Sequence, residues 1–283
     1  MSRSVSGSVV AITGAARGIG LSVAKALQAS GARVAISDID EPAVGRAAAE
    51  HGLDLHRRLD VADGEAFRAF LDEVEAELGP LDALINNAGI MPTGRLIDED
   101  DAVSRRVIEI NTLGFIFGTK AALERMVPRG SGHIVNIAST MGEAAVPGLA
   151  TYNASKAAVL MFSDAARLEY RGSGVSISAI LPGAVKTELG AGIKGPRGIP
   201  SIQPADVAEV VVDTLAGGSS RSRVYVPRVF GLLLNAGKLM PRGLMEALNR
   251  AMGAETAVLR DADLVGRREY EERVAAQSRK RGG

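Results

Sequence analysis

The 283-residue sequence contains no cysteine, carries no net charge and has no long apolar run. Without cysteine there can be no disulfide, thiolate metal site or cysteine nucleophile, which suits a reducing compartment. The 33 basic residues balance the 33 acidic ones, so the long-range attraction of a nucleic-acid binder is missing and no nucleic-acid partner is expected. The N-terminal residues lack the apolar core of a secretory signal, and no segment has the length of a membrane span. We therefore expect a cytoplasmic protein.

Residues that commonly bind metals are scattered or have another explanation. His51, His56 and His133 lie in separate segments, with no paired carboxylates in a metal-like pattern. The acidic run at residues 98–101 directly precedes a helical pattern, where acidic side chains cap the helix and complement its dipole. We expect no metal site.

Short apolar runs alternate with longer helical patterns from about residue 8 to residue 226. This alternation predicts an α/β protein with a doubly wound parallel sheet (a Rossmann fold) whose two faces are covered by helices. Ligands then bind at the carboxyl ends of the strands, where the strand order reverses. The predicted strands are residues 9–12, 33–37, 55–59, 81–85, 134–138, 175–181 and 223–226. The predicted helices extend from the first turn to about residue 30 and cover residues 42–51, 65–78, 102–127, 152–171 and 205–216.

The domain division follows from where this alternation stops. We expect one dinucleotide-binding and catalytic domain over residues 1–226, in which the glycine- and proline-rich loop at residues 188–203 is interpreted as a substrate lid, with a plain surface loop as the less favoured alternative. Residues 227–283 form a helical C-terminal extension, with helices predicted over residues 229–240, 243–252 and 266–280. The extension could pack on the domain, cover the substrate mouth, pair with a second subunit or lie on a membrane surface. Packing on the body or on a second subunit is favoured over membrane contact.

Residues 13–20, which we call the glycine turn, read Thr-Gly-Ala-Ala-Arg-Gly-Ile-Gly between the first predicted strand and helix. Gly14 permits a tight turn, Gly18 lets the backbone approach a pyrophosphate, and Gly20 allows the helix and strand to pack closely. The free N–H groups at the helix start then face the anion. The predicted cofactor-binding residues of this segment are Gly14, Ala16, Arg17, Gly18, Ile19 and Gly20.

Asp38 comes at the end of the second predicted strand, 18 residues after Gly20. A carboxylate at this place accepts hydrogen bonds from the adenosine ribose hydroxyls and repels a 2′-phosphate. Arg17 acts in the opposite direction, because a cation in the glycine turn could hold that phosphate. Since the repulsion by Asp38 is direct, we expect NAD as the cofactor, with NADP less favoured.

Tyr152 and Lys156 lie four residues apart at the start of a predicted helix and so share one helix face. A lysine cation beside the phenol would lower the pKa of the tyrosine and allow it to exchange a proton with an alcohol or a carbonyl. Ser139 ends the strand at residues 134–138 and can donate to a developing alkoxide. Asn111 lies inside the long predicted helix, where propensity gives no reason for it.

In this order and spacing the motifs resemble those of the short-chain dehydrogenase/reductase family. The motifs are residues 13–20, Asp60-Val61, residues 86–89, Asn111, Ser139, residues 152–156 and Pro182-Gly183. The resemblance implies that Ser139 orients and polarises the substrate oxygen and that Tyr152 is the general acid/base. It implies that Lys156 binds the nicotinamide ribose and lowers the pKa of Tyr152. Asn111 would help to hold a water molecule that links Lys156 to solvent.

The same resemblance implies further cofactor contacts and an assembly. Asp60 and Val61 would meet the adenine, and Asn87, Ala88 and Gly89 would line the cofactor. The residues that would flank the nicotinamide amide are Pro182, Gly183, Val185 and Thr187. The family also implies a homodimer or homotetramer built on the helices at residues 102–127 and 152–171. These helices carry apolar residues on more than one face: Phe115, Phe117, Leu160, Met161 and Phe162.

The substrate-binding residues are expected in the lid and in the segment after Ser139. Besides Ser139 and Tyr152, these residues are the apolar Met141, Val146 and Leu189, which favours a lipophilic alcohol or ketone. The extension resembles those of family members that act on retinoids, hydroxysteroids and other lipids. One alternative is a 3-oxoacyl-carrier-protein reductase, which would usually be shorter and prefer NADPH. Another is a non-catalytic, nicotinamide-binding regulator.

Overall fold

The computed structural model describes residues 5–193, 201–218, 220–251, 253, 258–259 and 264–279. Within them, parallel strands form one sheet in the order β3-β2-β1-β4-β5-β6-β7. The strands are β1 (Val9–Thr13), β2 (Arg33–Asp38), β3 (Leu55–Arg58), β4 (Ala83–Asn86), β5 (Gly132–Ile137), β6 (Val175–Pro182) and β7 (Val224–Val226). The helices of the main body are α1 (Gly18–Ala29), α2 (Glu41–His51), α3 (Gly64–Leu78), α4 (Asp101–Ile108), α5 (Gly114–Arg129), α6 (Ala150–Glu169) and α7 (Pro204–Ala216). The predicted α/β doubly wound fold is confirmed.

Both faces of the sheet are buried, which explains why the strands are continuously apolar. Along β1, Val10 points to the face covered by α1 and α7, where it joins Leu27 and Val211. Val9 points to the opposite face and belongs to the core that Phe67 of α3 shares. The strand order reverses beside β1, since β2 lies on one side of it and β4 on the other. The carboxyl ends of β1 and β4 therefore flank the crevice in which a ligand is expected.

The long helix predicted over residues 102–127 is wrong in one respect: it is interrupted. A π-helical turn, Glu109–Leu113, separates α4 from α5. The side chain of Asn111, inside this turn, bonds to the backbone of Ile90 instead of facing solvent. Gly114 follows directly, and a Cβ on it would lie 2.8 Å from Cγ2 of Val61. The wider turn thus lets a polar side chain and a close backbone contact occur within one helical run.

The extension forms α8 (Val229–Gly237), α9 (Arg242–Ala251) and α10 (Leu264–Arg279). α8 contacts the body through Phe230, whose ring atom Cε2 lies 2.5 Å from the position that a Cβ on Gly183 would take. Leu232 of the same helix is 75% exposed. α10 buries Arg267, Tyr270 and Val274 against the body. Within the part of the chain that the structure describes, no helix is long and apolar enough to cross a membrane. Residues 194–200 of the predicted lid and the end of the last predicted helix lie outside the described residues.

Candidate functional site

The glycine turn packs too closely against neighbouring backbone to carry side chains at Gly14 and Gly20. Gly14 and Gly18 have φ angles of +64° and +58°, a left-handed conformation that favours glycine. A Cβ on Gly14 would lie 2.6 Å from Cα of Ala88, and a Cβ on Gly20 would lie 2.5 Å from the carbonyl oxygen of Gly14. The turn follows β1 and opens α1. Its geometry therefore fits a pyrophosphate held by N–H groups at a helix start.

The carboxylate of Asp38 is held beside this turn. Its two oxygens accept hydrogen bonds from the backbone N–H groups of Ala16 and Asp40, both at 3.1 Å. Burial raises the pKa of Asp38, and these two hydrogen bonds oppose the rise. The guanidinium of Arg17 pairs with the carboxylates of Asp40 and Glu188, the latter at 3.2 Å. Arg17, which the sequence left as a candidate for a 2′-phosphate, therefore already has two anionic partners.

The end of β4 is bonded directly to the glycine turn. Nδ2 of Asn87 donates to the carbonyl oxygens of Thr13 and Gly14, both at 2.9 Å. Oγ1 of Thr13 accepts from the N–H groups of Asn87 and Ala88, at 3.1 and 3.2 Å. These bonds hold the segment of residues 87–89 against the turn. The carboxyl ends of β1 and β4 are therefore joined by hydrogen bonds at the point where the strand order reverses.

Arg106 is a site residue that the sequence did not indicate. Its side chain is 5% exposed, and Nη2 lies 2.8 Å from Oδ2 of Asp60, with Glu109 as a second partner. Asp60 and Val61 line the same cavity as Arg106. A single arginine on a helical pattern is usually a solvated residue, and no motif marks this one.

Tyr152 and Lys156 lie on α6, and the side chain of Ser139 at the end of β5 hydrogen-bonds Tyr152. Tyr152 is 6% exposed. Burial raises its pKa to about 12, and the hydrogen bond with Ser139 opposes the rise. Nζ of Lys156 donates to the carbonyl oxygen of Ile137 at 3.1 Å and lies 4.9 Å from the centre of the Phe115 ring. The three residues thus lie together at the carboxyl end of β5.

The expected lowering of the Tyr152 pKa by Lys156 together with the positive nicotinamide ring stays a prediction. Burial lowers the pKa of Lys156 to about 8, just as it raises that of Tyr152. Both groups are pushed toward their neutral forms because the surroundings disfavour either charge. At neutral pH the phenol of Tyr152 is protonated and can donate to a carbonyl oxygen.

The depressed pKa of Lys156 predicts how stability changes with pH. In the unfolded chain Lys156 binds its proton up to its ordinary pKa of 10.5, but in the folded chain it loses the proton near pH 8. Between these values the unfolded state binds more protons, so stability rises with pH. From pH 8 to pH 10 this contributes about 2 kcal/mol to the free energy of unfolding. Urea unfolding at both pH values should show this gain in the wild type but not in Lys156→Met.

The matched control is Lys25→Met, because Lys25 is exposed on α1. This variant should keep the full gain of the wild type. Equal gains in Lys156→Met and Lys25→Met would show that the pKa of Lys156 is not depressed by folding.

Asn111 makes three hydrogen bonds in the interior. Its Oδ1 accepts from the N–H of Ile90 at 2.9 Å, and its Nδ2 donates to the carbonyl oxygen of Ile90 at 2.9 Å and to Oγ of Ser155 at 3.1 Å. A Cβ on Gly89 would lie 3.2 Å from Oδ1 of Asn111 and 3.7 Å from Nζ of Lys156. Asn111 and Lys156 therefore both lie close to Gly89. Its role in holding a water molecule remains a prediction.

One cavity collects most of the predicted cofactor residues. It is lined by Gly14, Arg17, Gly18, Ile19, Asp38, Asp60, Val61, Asn87, Ala88, Gly89, Tyr152, Lys156, Thr187 and Leu189. Among the predicted residues, its described lining does not include Ala16, Gly20, Asn111, Ser139, Met141, Val146, Pro182, Gly183 or Val185. Gly183 faces Phe230 of α8, and Val185 pairs with Ile202. Met141, Val146 and Leu189 pack against an apolar cluster that contains Tyr152.

Three further lining residues come from the far end of the chain. Tyr270, Arg273 and Val274 of α10 face the same cavity. A helix over this region is predicted from its pattern, but a helical pattern does not say where the helix packs. These residues could not be found from the sequence.

A parallel sheet with a dinucleotide cradle at its switch point, and a serine, a tyrosine and a lysine beside it, defines a class of nicotinamide-dependent oxidoreductases. The chain belongs to the short-chain dehydrogenase family, whose model, described as short chain dehydrogenase, matches residues 8–197. Relatives that match it carry the names of dehydrogenases that act on hydroxyl groups.

Relatives of known name support this placement. Cis-4-hydroxycyclohexanecarboxylate dehydrogenase of Sinomonas cyclohexanicum is 41% identical over 192 residues, which are 65% of this chain and 76% of that protein. The probable oxidoreductase EphD of Mycobacterium tuberculosis is 42% identical over 186 residues, but the match spans only 31% of its length and 64% of this chain. Among solved structures, the 3-ketoacyl-(acyl-carrier-protein) reductase of Brucella melitensis complexed with NADH superposes with a TM-score of 0.72. It is 26% identical, covering 79% of this chain and 98% of that one.

Proposed function

We propose that the chain is an NAD-dependent dehydrogenase or ketone reductase that acts on a lipophilic alcohol or ketone. The observation that carries this proposal is that Tyr152 and Lys156 line the same cavity as Asp38 and the glycine turn, with Ser139 hydrogen-bonded to Tyr152. The left-handed Gly14 and Gly18 line this cavity at the start of α1, which supports a site for the pyrophosphate of a dinucleotide. When bound, the nicotinamide supplies or accepts the hydride.

The proton is handled by the residues of this chain. Ser139 holds the substrate oxygen with its hydroxyl, and Tyr152 gives a proton to a carbonyl or takes one from an alcohol at its Oη. Lys156 binds the nicotinamide ribose through Nζ, which faces Gly89 and the carbonyl oxygen of Ile137. Asn111, which lies next to Lys156, connects the site to solvent through water.

The surroundings of Tyr152 support a lipophilic substrate. Tyr152 packs in a buried apolar cluster with Met91, Leu149 and Val258. The partly buried apolar residues around this cluster are Met141, Val146, Leu189 and Ile193. Burying apolar groups of a substrate against such a wall provides affinity without any charged partner.

The cofactor preference is tested by titrating the protein with NADH and NADPH. Because two backbone N–H groups hold the carboxylate of Asp38 beside the glycine turn, it repels a 2′-phosphate, and we expect NADH to bind roughly tenfold more tightly or better. Asp38→Asn should narrow this difference. Asp98→Asn removes an exposed carboxylate outside the cavity and should not. Tighter binding of NADPH by the wild type would overturn the choice of NAD.

A second candidate is reduction of a 3-oxoacyl thioester, favoured by the structural similarity to the reductase of Brucella melitensis. That reductase is itself complexed with NADH, so the cofactor titration does not separate the two candidates. Comparing turnover of apolar secondary alcohols with turnover of 3-oxoacyl thioesters distinguishes them.

We also propose that the protein forms a homodimer or homotetramer through α5 and α6. Met161 on α6 is 66% exposed and Leu168 is 52% exposed, which supports an apolar contact between subunits. Phe115 and Leu160, which the sequence also suggested for this role, are instead buried in the core of the chain.

A further inference from the structure

α10 is hydrogen-bonded to the chain segment after β4, which forms one wall of the cavity. Oη of Tyr270 accepts a hydrogen bond from the N–H of Met91 at 2.7 Å. Oε1 of Glu271 accepts from Oγ1 of Thr93 at 2.9 Å and from its N–H at 3.2 Å. The helix thus bonds to the segment that directly continues the cofactor-lining residues 87–90.

The same helix is attached to the opposite wall through Arg267. This side chain is 0% exposed, and Nη1 donates to the carbonyl oxygens of Leu189 and Ala191 at 2.8 and 3.0 Å. Nη2 donates to the carbonyl oxygen of Met91 at 2.6 Å, and Nε to Glu271 at 3.0 Å. Moving a buried guanidinium whose three nitrogens are all hydrogen-bonded costs free energy, because those hydrogen bonds are lost. Arg267 therefore ties both walls of the cavity to α10.

A chain of ion pairs continues from α10 to the glycine turn. Arg273 lies 2.5 Å from one oxygen of Glu188, whose other oxygen lies 3.2 Å from Arg17. All three residues line the cavity. Arg17 also pairs with Asp40, so the two cations are balanced by two carboxylates, and the chain of ion pairs joins α10 to the glycine turn across the cavity.

We propose that α10 forms the outer wall of the cofactor site, that Tyr270, Arg273 and Val274 contact the bound dinucleotide, and that the cofactor enters and leaves only when this helix lifts. The proposal rests on the proposed function, because it presumes that the cavity takes a nicotinamide dinucleotide. It assigns to the C-terminal extension a direct part in binding the cofactor, in addition to the contacts that the main domain makes.

A reversible cross-link tests whether the helix must move. The sequence has no cysteine, so Thr93→Cys and Glu271→Cys together provide a unique thiol pair, which a bis-methanethiosulfonate reagent joins and dithiothreitol releases. Cross-linking the free protein should slow NADH binding by roughly tenfold or more, and cross-linking the NADH complex should slow release to a similar extent. Dithiothreitol should restore both rates, and the single-cysteine variants treated in the same way should show neither effect.

A charge-matched pair of variants tests the contact of α10 with the cofactor. Arg273→Gln removes the cation at the cavity, whereas Arg268→Gln makes the same change on the exposed side of α10. In stopped-flow experiments, Arg273→Gln should release NADH roughly two- to fivefold faster than the wild type, and Arg268→Gln should match the wild type. Equal release rates in the two variants would overturn the assigned contact.

The outcomes separate this proposal from the one on which it rests. Unchanged NADH binding and release after cross-linking would overturn the role of α10 and leave the proposed function intact. If the protein without the cross-link binds neither NADH nor NADPH, the proposed function is overturned, and the role of α10 with it.

Discussion

Tyr152→Phe is expected to lower turnover by about a thousandfold or more while NADH still binds with the affinity of the wild type. The substitution removes only the hydroxyl that exchanges a proton with the substrate oxygen. The ring, which packs in the apolar cluster with Met91 and Leu149, stays in place. Steady-state kinetics and NADH titration on the same preparation measure both quantities.

The matched control for this variant is Tyr170→Phe, at the carboxyl end of α6. Tyr170 does not line the cavity, so its loss of a hydroxyl should leave turnover within about twofold of the wild type. Turnover that survives in Tyr152→Phe would remove the tyrosine from the mechanism. Loss of NADH binding in that variant would instead indicate damage to the cavity.

Gly14→Ala is expected to destabilise the protein by about 3 kcal/mol or more and to weaken NADH binding at least roughly tenfold. Gly14 has a φ of +64°, and a Cβ there would lie 2.6 Å from Cα and 3.0 Å from N of Ala88. Both atoms are backbone, and the segment that carries them is bonded to the glycine turn through Asn87. The clash therefore cannot be relieved by rotating a side chain.

Gly52→Ala isolates the contribution of the backbone conformation. Gly52 has nearly the same φ, +62°, but nothing lies within 4 Å of the position of its Cβ. This variant should lose only about 1–2 kcal/mol of stability and bind NADH normally. Urea unfolding and NADH titration of both variants measure the difference. Equal effects of the two substitutions would mean that the close approach of Ala88 to Gly14 is not important for the site.

The sheet and its flanking helices could be predicted because each follows from a local pattern. Buried parallel strands such as β1 are continuously apolar, and helices such as α3 show an apolar stripe of helical period. Tyr152 and Lys156 could be placed together because positions four apart share a helix face. The strand end that carries Ser139 could be placed beside them because parallel strands end at one edge.

The remaining site features depend on contacts between distant segments. Arg106 is a site residue because Asp60, 46 residues earlier, lies against it. The π-helical turn around Asn111 forms where the backbone of Ile90 offers two hydrogen bonds. Tyr270 reaches the cavity because its Oη accepts a hydrogen bond from the N–H of Met91, 179 residues away along the chain. No local pattern carries this information.

Burial has an effect on Tyr152 and Lys156 that the sequence pattern does not reveal. The pattern of Tyr152 and Lys156 predicts a cation that lowers the pKa of a phenol, but it does not reveal how dry the site is. Each side chain is nearly inaccessible to solvent, and desolvation is the largest influence on the pKa of both. The sequence pattern does not show how much free energy it costs to bury the charge of either side chain.

The central claim is that Tyr152 and its neighbours support hydride exchange between a lipophilic alcohol and NAD, and isotope transfer tests it most directly. The wild type and Tyr152→Phe are each incubated with NAD and a series of apolar secondary alcohols deuterated at the carbinol carbon, and the NADH formed is examined by mass spectrometry. The wild type should transfer deuterium to the cofactor from at least one alcohol of the series, and Tyr152→Phe should transfer none above background. A wild-type protein that binds NAD but yields no deuterated NADH from any of these alcohols, or a Tyr152→Phe variant that transfers deuterium as well as the wild type, would contradict the account.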